Sequence, residues 1–257
     1  MKKKFATLFT IICLAVSAIG FTGCGSQTSA EEESGMDAVC YAIAPTANSQ
    51  GLNFNSPLVQ DTIFDTILDY GYVSVVIVDG KPELAAAYSY DIDDQYKKAS
   101  KNILKTDARA KATALINYME DRIANDAQVD YLEGLRMAVR SLSSLKGYDS
   151  KTIVVIGTGL STQGTLNFKN NLLSVEPEDV LDQLEEKDEI PDFTGITVVW
   201  QQMGDVASPQ QDLSQTQRKR LQEIWGGIVE RGGGTFEYDD IMANPVNTQA
   251  SYPTVDT

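Results

Sequence analysis

Four stretches of almost unbroken apolar sequence limit the folds open to this chain: residues 39–44 (VCYAIA), 72–79 (YVSVVIVD), 151–157 (KTIVVIG) and 195–202 (GITVVWQQ). They are rich in β-branched and aromatic side chains and lack the alternation of a strand with one wet face. They therefore read as strands buried on both sides, as in a parallel sheet covered by helices. Two weaker strands join them. Asp79-Gly80 followed by Lys81-Pro82 predicts a turn that returns 83–89 as a short antiparallel edge strand, and 234–238 (GTFEY) reads as the last strand.

Helical spacing fills the intervals. Ser56-Pro57 supplies a cap and a first-turn proline before Val59, Ile63, Ile67 and Tyr70, which share a face, and Gly71 is the expected stop. Thr106 is the expected cap of a long helix carrying Ala112, Leu115, Met119 and Ile123. Leu132, Leu135, Val139 and Leu142 form another stripe, and Val180, Leu181 and Leu184 follow Pro177 in a short acidic helix. Ser214 and Gln217 have capping-box spacing before Leu221, Ile224, Trp225 and Ile228. The order predicts a doubly wound, mostly parallel α/β sheet flanked by helices on both faces, with one short antiparallel edge strand. In such sheets ligands sit beyond the carboxyl ends of the strands, so loops 45–56, 157–168 and 202–212 should meet on one rim.

The N-terminus carries an address. Met1-Lys2-Lys3-Lys4 is a basic start, and an apolar stretch from Phe5 to Phe21 reads as a secretion signal. Phe21-Thr22-Gly23-Cys24 resembles the lipobox of bacterial lipoproteins, with Phe21 in place of the usual Leu. That resemblance implies removal of residues 1–23 as a signal peptide and acylation of Cys24 with palmitate-type chains. The chain is then exported, lipid-anchored and extracytoplasmic, held at the bacterial membrane or cell envelope. Residues 24–36, with Glu31-Glu32-Glu33, read as a flexible acidic tether, 37–240 as the folded domain, and 241–257 as a C-terminal tail or linker.

Composition removes several kinds of chemistry. The chain has no histidine, so Ser/His/Asp triads, Cys/His pairs and His-ligated metals are excluded. With 36 acidic residues against 21 Lys and Arg, the formal charge is -15, which opposes nucleic-acid binding. The basic run Arg218-Lys219-Arg220 is expected to be a solvated helix face. Of three cysteines, Cys13 leaves with the signal, Cys24 takes lipid, and Cys40 lies in an apolar run as an inert core thiol, so no disulfide is expected. The acidic clusters Asp91-Ile92-Asp93-Asp94, Glu185-Glu186 and Asp239-Asp240 read as solvated surface, and no catalytic residue is assigned.

The element order, of the Rossmann-like kind, resembles that of a von Willebrand factor A (VWA) domain over nearly all of residues 37–240. In that family a D-x-S-x-S motif after the first strand, a loop threonine and an Asp after the fourth strand hold one Mg²⁺, the metal-ion-dependent adhesion site. Here the first motif aligns as Ala44-Pro45-Thr46-Ala47-Asn48, the loop threonine falls at Val129, and the strand-four signature aligns as Gly157-Thr158-Gly159-Leu160-Ser161. Both carboxylates are replaced, so the resemblance implies a degenerate site with no metal and no cofactor. The expected function is a non-enzymatic module that binds a protein or envelope component through its rim. The candidate contacts are Thr46, Asn48, Ser49, Gln50, Asn53, Asn55, Thr158, Ser161, Thr162, Gln163 and Asn167. One alternative is a small-ligand or nucleotide-binding domain using loop 157–164, although Thr162 stands where G-x-G-x-x-G needs its third glycine and Gly164 comes late. Gly232-Gly233-Gly234 reads as a helix stop and turn. A further alternative is the N-terminal part of an envelope protein that continues into an OmpA-like peptidoglycan-binding module.

Overall fold

The computed structural model describes residues 36–46, 49, 51–89, 99–122, 128–208 and 210–239. The signal stretch, Cys24, Asn48, Gln50, the 91–94 acidic cluster, Asp240 and the 241–257 tail lie outside the described residues.

Six strands form one sheet: β1 (Asp37–Ile43), β2 (Tyr72–Ile77), β3 (Glu83–Ser89), β4 (Ser150–Ile156), β5 (Thr197–Gln201) and β6 (Thr235–Asp239). Their spatial order is β3-β2-β1-β4-β5-β6, with β3 antiparallel to β2 and every other pair parallel. The chain winds outward from β1 to β3, then returns to start β4 on the other side of β1. That makes the β1/β4 boundary the switch point, beyond whose carboxyl ends sheets of this kind place their ligands. The doubly wound α/β architecture with its antiparallel edge is thus the one the apolar runs predict.

Burial on both faces explains the continuous apolarity of the central strands. In β1, Ala38, Cys40 and Ala42 face one layer while Val39, Tyr41 and Ile43 face the other. The small side chains lie on the side of α3 (Tyr131–Ser143) and let it sit close to the sheet. Gly134 of α3 takes part in this approach, because a Cβ there would lie 2.8 Å from the Val78 methyls. Helices α4 (Pro177–Glu186) and α5 (Gln215–Arg231) share that face, and α1 (Pro57–Leu68) and α2 (Lys101–Glu120) cover the other.

The helix ends meet the sequence expectations at some positions and depart from them at others. The 214/217 capping box is present: Gln217 N–H donates to Ser214 Oγ (3.3 Å) and Ser214 N–H to Gln217 Oε1 (2.9 Å). Ser56 stands at the cap position of α1, but its hydroxyl is turned to Gln201. Thr106 does not cap α2. The helix starts a turn earlier, after Ser100, and the Thr106 hydroxyl donates back to Asn102 O (2.8 Å). Beyond α1 the left-handed residue is Tyr70 (φ 62°), while Gly71 is needed because a Cβ there would sit 2.3 Å from Asp37 O. The basic run is only partly a solvated face. Lys219 is exposed, whereas Arg218 pairs with Asp205 (3.2 Å) and Arg220 donates to Leu173 O and Val175 O.

Candidate functional site

The corner at the switch point is built by the chain leaving β1 and β4. Ala44 N–H donates to Ile156 O (3.0 Å), and Thr46 N–H donates back to Ala44 O (2.8 Å), so the first loop folds tightly over the strand end. Ser49 Oγ donates to Thr46 O (2.8 Å), and a bridge from Ser49 to Val206 ties this loop to the one after β5. The β4 loop hangs from two indoles. Trp200 Nε1 donates to Gly157 O (2.8 Å) and Trp225 Nε1 to Gly159 O (2.9 Å). The two indole centroids are 4.8 Å apart, and the Tyr131 ring lies 5.5 Å from Trp200 and 6.1 Å from Trp225. Gly159 (φ 75°) is left-handed and pressed against these rings, a position suited to glycine.

Tyr131 is the residue at this corner that sequence reasoning missed. Its phenol lies 3.5 Å from Thr158 Oγ1, and a Cβ built on Gly157 would fall 2.4 Å from that phenol and 3.0 Å from the Ala44 methyl. Thus Ala44, Tyr131 and Thr158, all buried, fill the space above the β1/β4 boundary. Burial pushes the Tyr131 phenol up to about 12, against the lowering influence of the Thr158 contact. At the aligned loop position, Val129 N–H donates to Thr162 Oγ1 (3.0 Å) and Val129 O accepts from Thr162 N–H (2.8 Å). Among the described residues, no three His, Cys, Asp or Glu side chains gather as a metal cluster.

Three acids surround the corner without converging on it. Asp79 is buried and accepts from Lys81 N–H (2.7 Å), and Asp205 is buried beside Arg218. Asp130 caps α3 by accepting from Glu133 N–H (3.1 Å). Burial raises its carboxyl above the ordinary range. Gly164 (φ 76°) is fixed here, since a Cβ on it would lie 2.1 Å from Asp130 Oδ2.

The candidate rim residues divide by burial. Thr46, Ser49, Thr158 and Ser161 are buried, and Ser161 Oγ accepts from Tyr131 N–H (3.0 Å). Thr162, Gln163, Asn53 and Asn167 are half-buried and Asn55 is exposed. Gln163 Nε2 donates to Gly80 O, Asn167 Oδ1 accepts from Lys169 N–H (3.0 Å), and Asn55 Oδ1 accepts from Gln60 Nε2 (3.0 Å). Two buried glutamines also escaped notice in the sequence. Gln202, left-handed at φ 61°, accepts from Asn53 N–H (2.8 Å) and donates to Gly51 O (3.2 Å). Gln201 Nε2 lies 3.2 Å from both Ser56 Oγ and Asp239 Oδ2. The only signal was a pair of amides at the end of an otherwise apolar strand. Loop 157–164 leads into two 3₁₀ turns, Phe168–Asn170 and Leu172–Ser174, so no α-helix N-terminus stands directly behind it to receive a phosphate.

No helix among the described residues is long and apolar enough to cross a membrane. No family model matches this chain. No curated protein matches it either. Among solved structures it is similar to an aerotolerance-related membrane protein from Bacteroides fragilis NCTC 9343, at 14% identity and TM-score 0.36 over 80% of this chain and 92% of that one. It is also similar to the conserved hypothetical protein BatB from Bacteroides thetaiotaomicron, at 14% identity and TM-score 0.37 over 83% and 94% of the two chains.

Proposed function

We propose that this chain is an exported bacterial lipoprotein whose VWA-like domain binds a protein or envelope component and catalyses no reaction. The supporting observation is the corner made by the Ala44 methyl, the Thr158 hydroxyl and the Tyr131 phenol. A small divalent cation gives up hydration only for compensating negative charge. Here the aligned acids are an alanine and a threonine, and a phenol with a pKa of about 12 keeps its proton at neutral pH. These residues do not fit the Mg²⁺ of the family that the chain resembles. What remains among the candidate rim residues is a set of amides and hydroxyls, while Asp205 beside them is paired with Arg218. In this reading the buried Thr46, Ser49, Thr158 and Ser161 shape the loops, while Asn53, Asn55, Thr162, Gln163 and Asn167 face the partner.

Cys24 carries the lipid, residues 24–36 form the tether, 37–240 the binding domain and 241–257 a C-terminal tail or linker. Three measurements test the reading. Labelled palmitate should enter the wild-type chain and not Cys24→Ser, which should also leave the membrane fraction. A thermal shift against Mg²⁺, Mn²⁺, Ca²⁺ and nucleotides should show none of the roughly 2.7 kcal/mol that a ligand at 100 times its Kd confers. An ion-dependent shift abolished by Thr46→Ala with Thr158→Ala would overturn the metal-free reading. Crosslinked partner capture on cells should fall in the double variant Asn55→Ala and Gln163→Ala, with the fold intact.

A further inference from the structure

A cavity of about 320 Å³ opens beside the carboxyl ends of β4 and β5. Leu160, Phe168, Leu173 and Leu213 form its apolar wall, and Lys169 is the one charged residue among those lining it. The absence of carboxylates there is local. A larger groove of about 640 Å³ between α4 and α5 is lined by Glu176, Glu178, Glu223 and Glu230 against a single cation, Lys219. The whole chain carries a formal charge of -15. On so acidic a surface, a concave site whose single charge is an ammonium lets an organic anion enter without meeting a carboxylate on its walls. Lys169 is exposed and makes no ion pair among the described residues, so its charge is open to an incoming group.

Size and lining restrict the occupant further. The volume lies at the bottom of the range of about 300–1,000 Å³ for small-ligand pockets, enough for one residue-sized group. Four apolar walls call for a hydrocarbon body, and one ammonium calls for one carboxylate. An Asp or Glu side chain has the carboxylate without the body. A C-terminal leucine or phenylalanine has both in a single residue, with the rest of its chain free to leave through the mouth past the amides of Gln210 and Gln217.

We propose that this cavity captures the C-terminal apolar residue of a partner polypeptide, its side chain against Leu160, Phe168, Leu173 and Leu213 and its carboxylate on Lys169. The proposal rests on the reading of this rim as a binding surface and names the chemistry that the surface selects. The test uses the full chain in lipid nanodiscs and a fluorescein-labelled pentapeptide ending in phenylalanine, as the free acid and as the C-terminal amide. Anisotropy should show the acid binding about tenfold or more tighter than the amide, the factor expected for losing a charged hydrogen bond. Lys169→Glu should bring the acid down to the level of the amide, and Gln210→Trp, an exposed change that fills the mouth, should weaken both. Equal binding of acid and amide, full affinity in Lys169→Glu, or no binding of the acid at about 1 mM protein would each overturn the proposal. Failure here with partner capture still lost in the Asn55 and Gln163 variants removes the cavity and leaves the rim. Capture unaffected in those variants removes the rim reading itself.

Discussion

The face of the sheet beneath α3, α4 and α5 is built differently from the face beneath α1 and α2. The first is aromatic. Tyr131, Trp200 and Trp225 fill its centre, and the same indoles hold the carbonyls of Gly157 and Gly159 at the strand ends. The second is mostly aliphatic, packing Val59, Ile63 and Ile67 of α1 against Val39, Ile43, Val75 and Ile77. Its polar ties, such as Tyr41 O–H to Leu58 O (3.1 Å), run to helix and edge-strand carbonyls away from the β4 loop. On one face the core residues hold the β4 loop by hydrogen bonds, and on the other they reach the rim only through Leu52 and Phe54 of loop 45–56. Stability and the geometry of the β4 loop should therefore separate when the two faces are mutated one at a time.

Trp200→Ala should break the aromatic face most. It should cost about 3–5 kcal/mol in chemical denaturation, and hydrogen exchange in 157–164 should quicken well beyond the global change. Ile63→Ala on the other face should cost about 3 kcal/mol while exchange in 157–164 tracks global stability alone. Disproportionate loosening of that loop in Ile63→Ala would erase the distinction between the faces. Trp225→Phe keeps most of the packing and orphans Gly159 O, so it should cost about 1–3 kcal/mol with its exchange signal confined to that loop. Smallest is the cap at Asp130: Asp130→Ala should cost about 1 kcal/mol through α3, while Asp130→Asn keeps the cap.

Asp130 also gives a pH signature. Its carboxyl is raised by burial above its unfolded value of 3.8, so the folded protein holds that proton to higher pH than the unfolded chain does. Between the two values stability falls as pH rises, and the penalty is fully present above the raised value. Asp130→Asn removes it, so the variant should gain on the wild type as pH rises through that window, and the gain should vanish below pH 3.8 in paired denaturation curves.

The sheet was legible because burial on both faces writes itself into sequence as unbroken apolar runs, and the α3 stripe and the 214/217 box are local patterns. Thr106 misled because a hydroxyl inside a helix can bond to the carbonyl four residues back, and the sequence looks the same as a cap. Tyr131 could not be read as part of the corner. It reaches Thr158 across 27 positions in the chain, and only the crossing of α3 over β1 and β4 brings them together. The same holds for Gln202, whose bond to Asn53 spans 149 positions. The rim residues were found by loop position, which predicts neighbourhood but not depth, so Thr46 and Ser161 came out buried while Asn55 came out exposed.

Cys40 sits at the middle of β1, paired on both sides and covered by α3, with Ser74 and Ser141 bonded to each other beside it (2.9 Å). Burial pushes its thiol up to about 11. An alkylating reagent therefore meets a thiolate only after β1 has come out of the centre of the sheet. The rate of alkylation at fixed pH, followed by mass on the peptide containing Cys40, is a stopwatch for that event, built into the native chain at a strand paired on both sides.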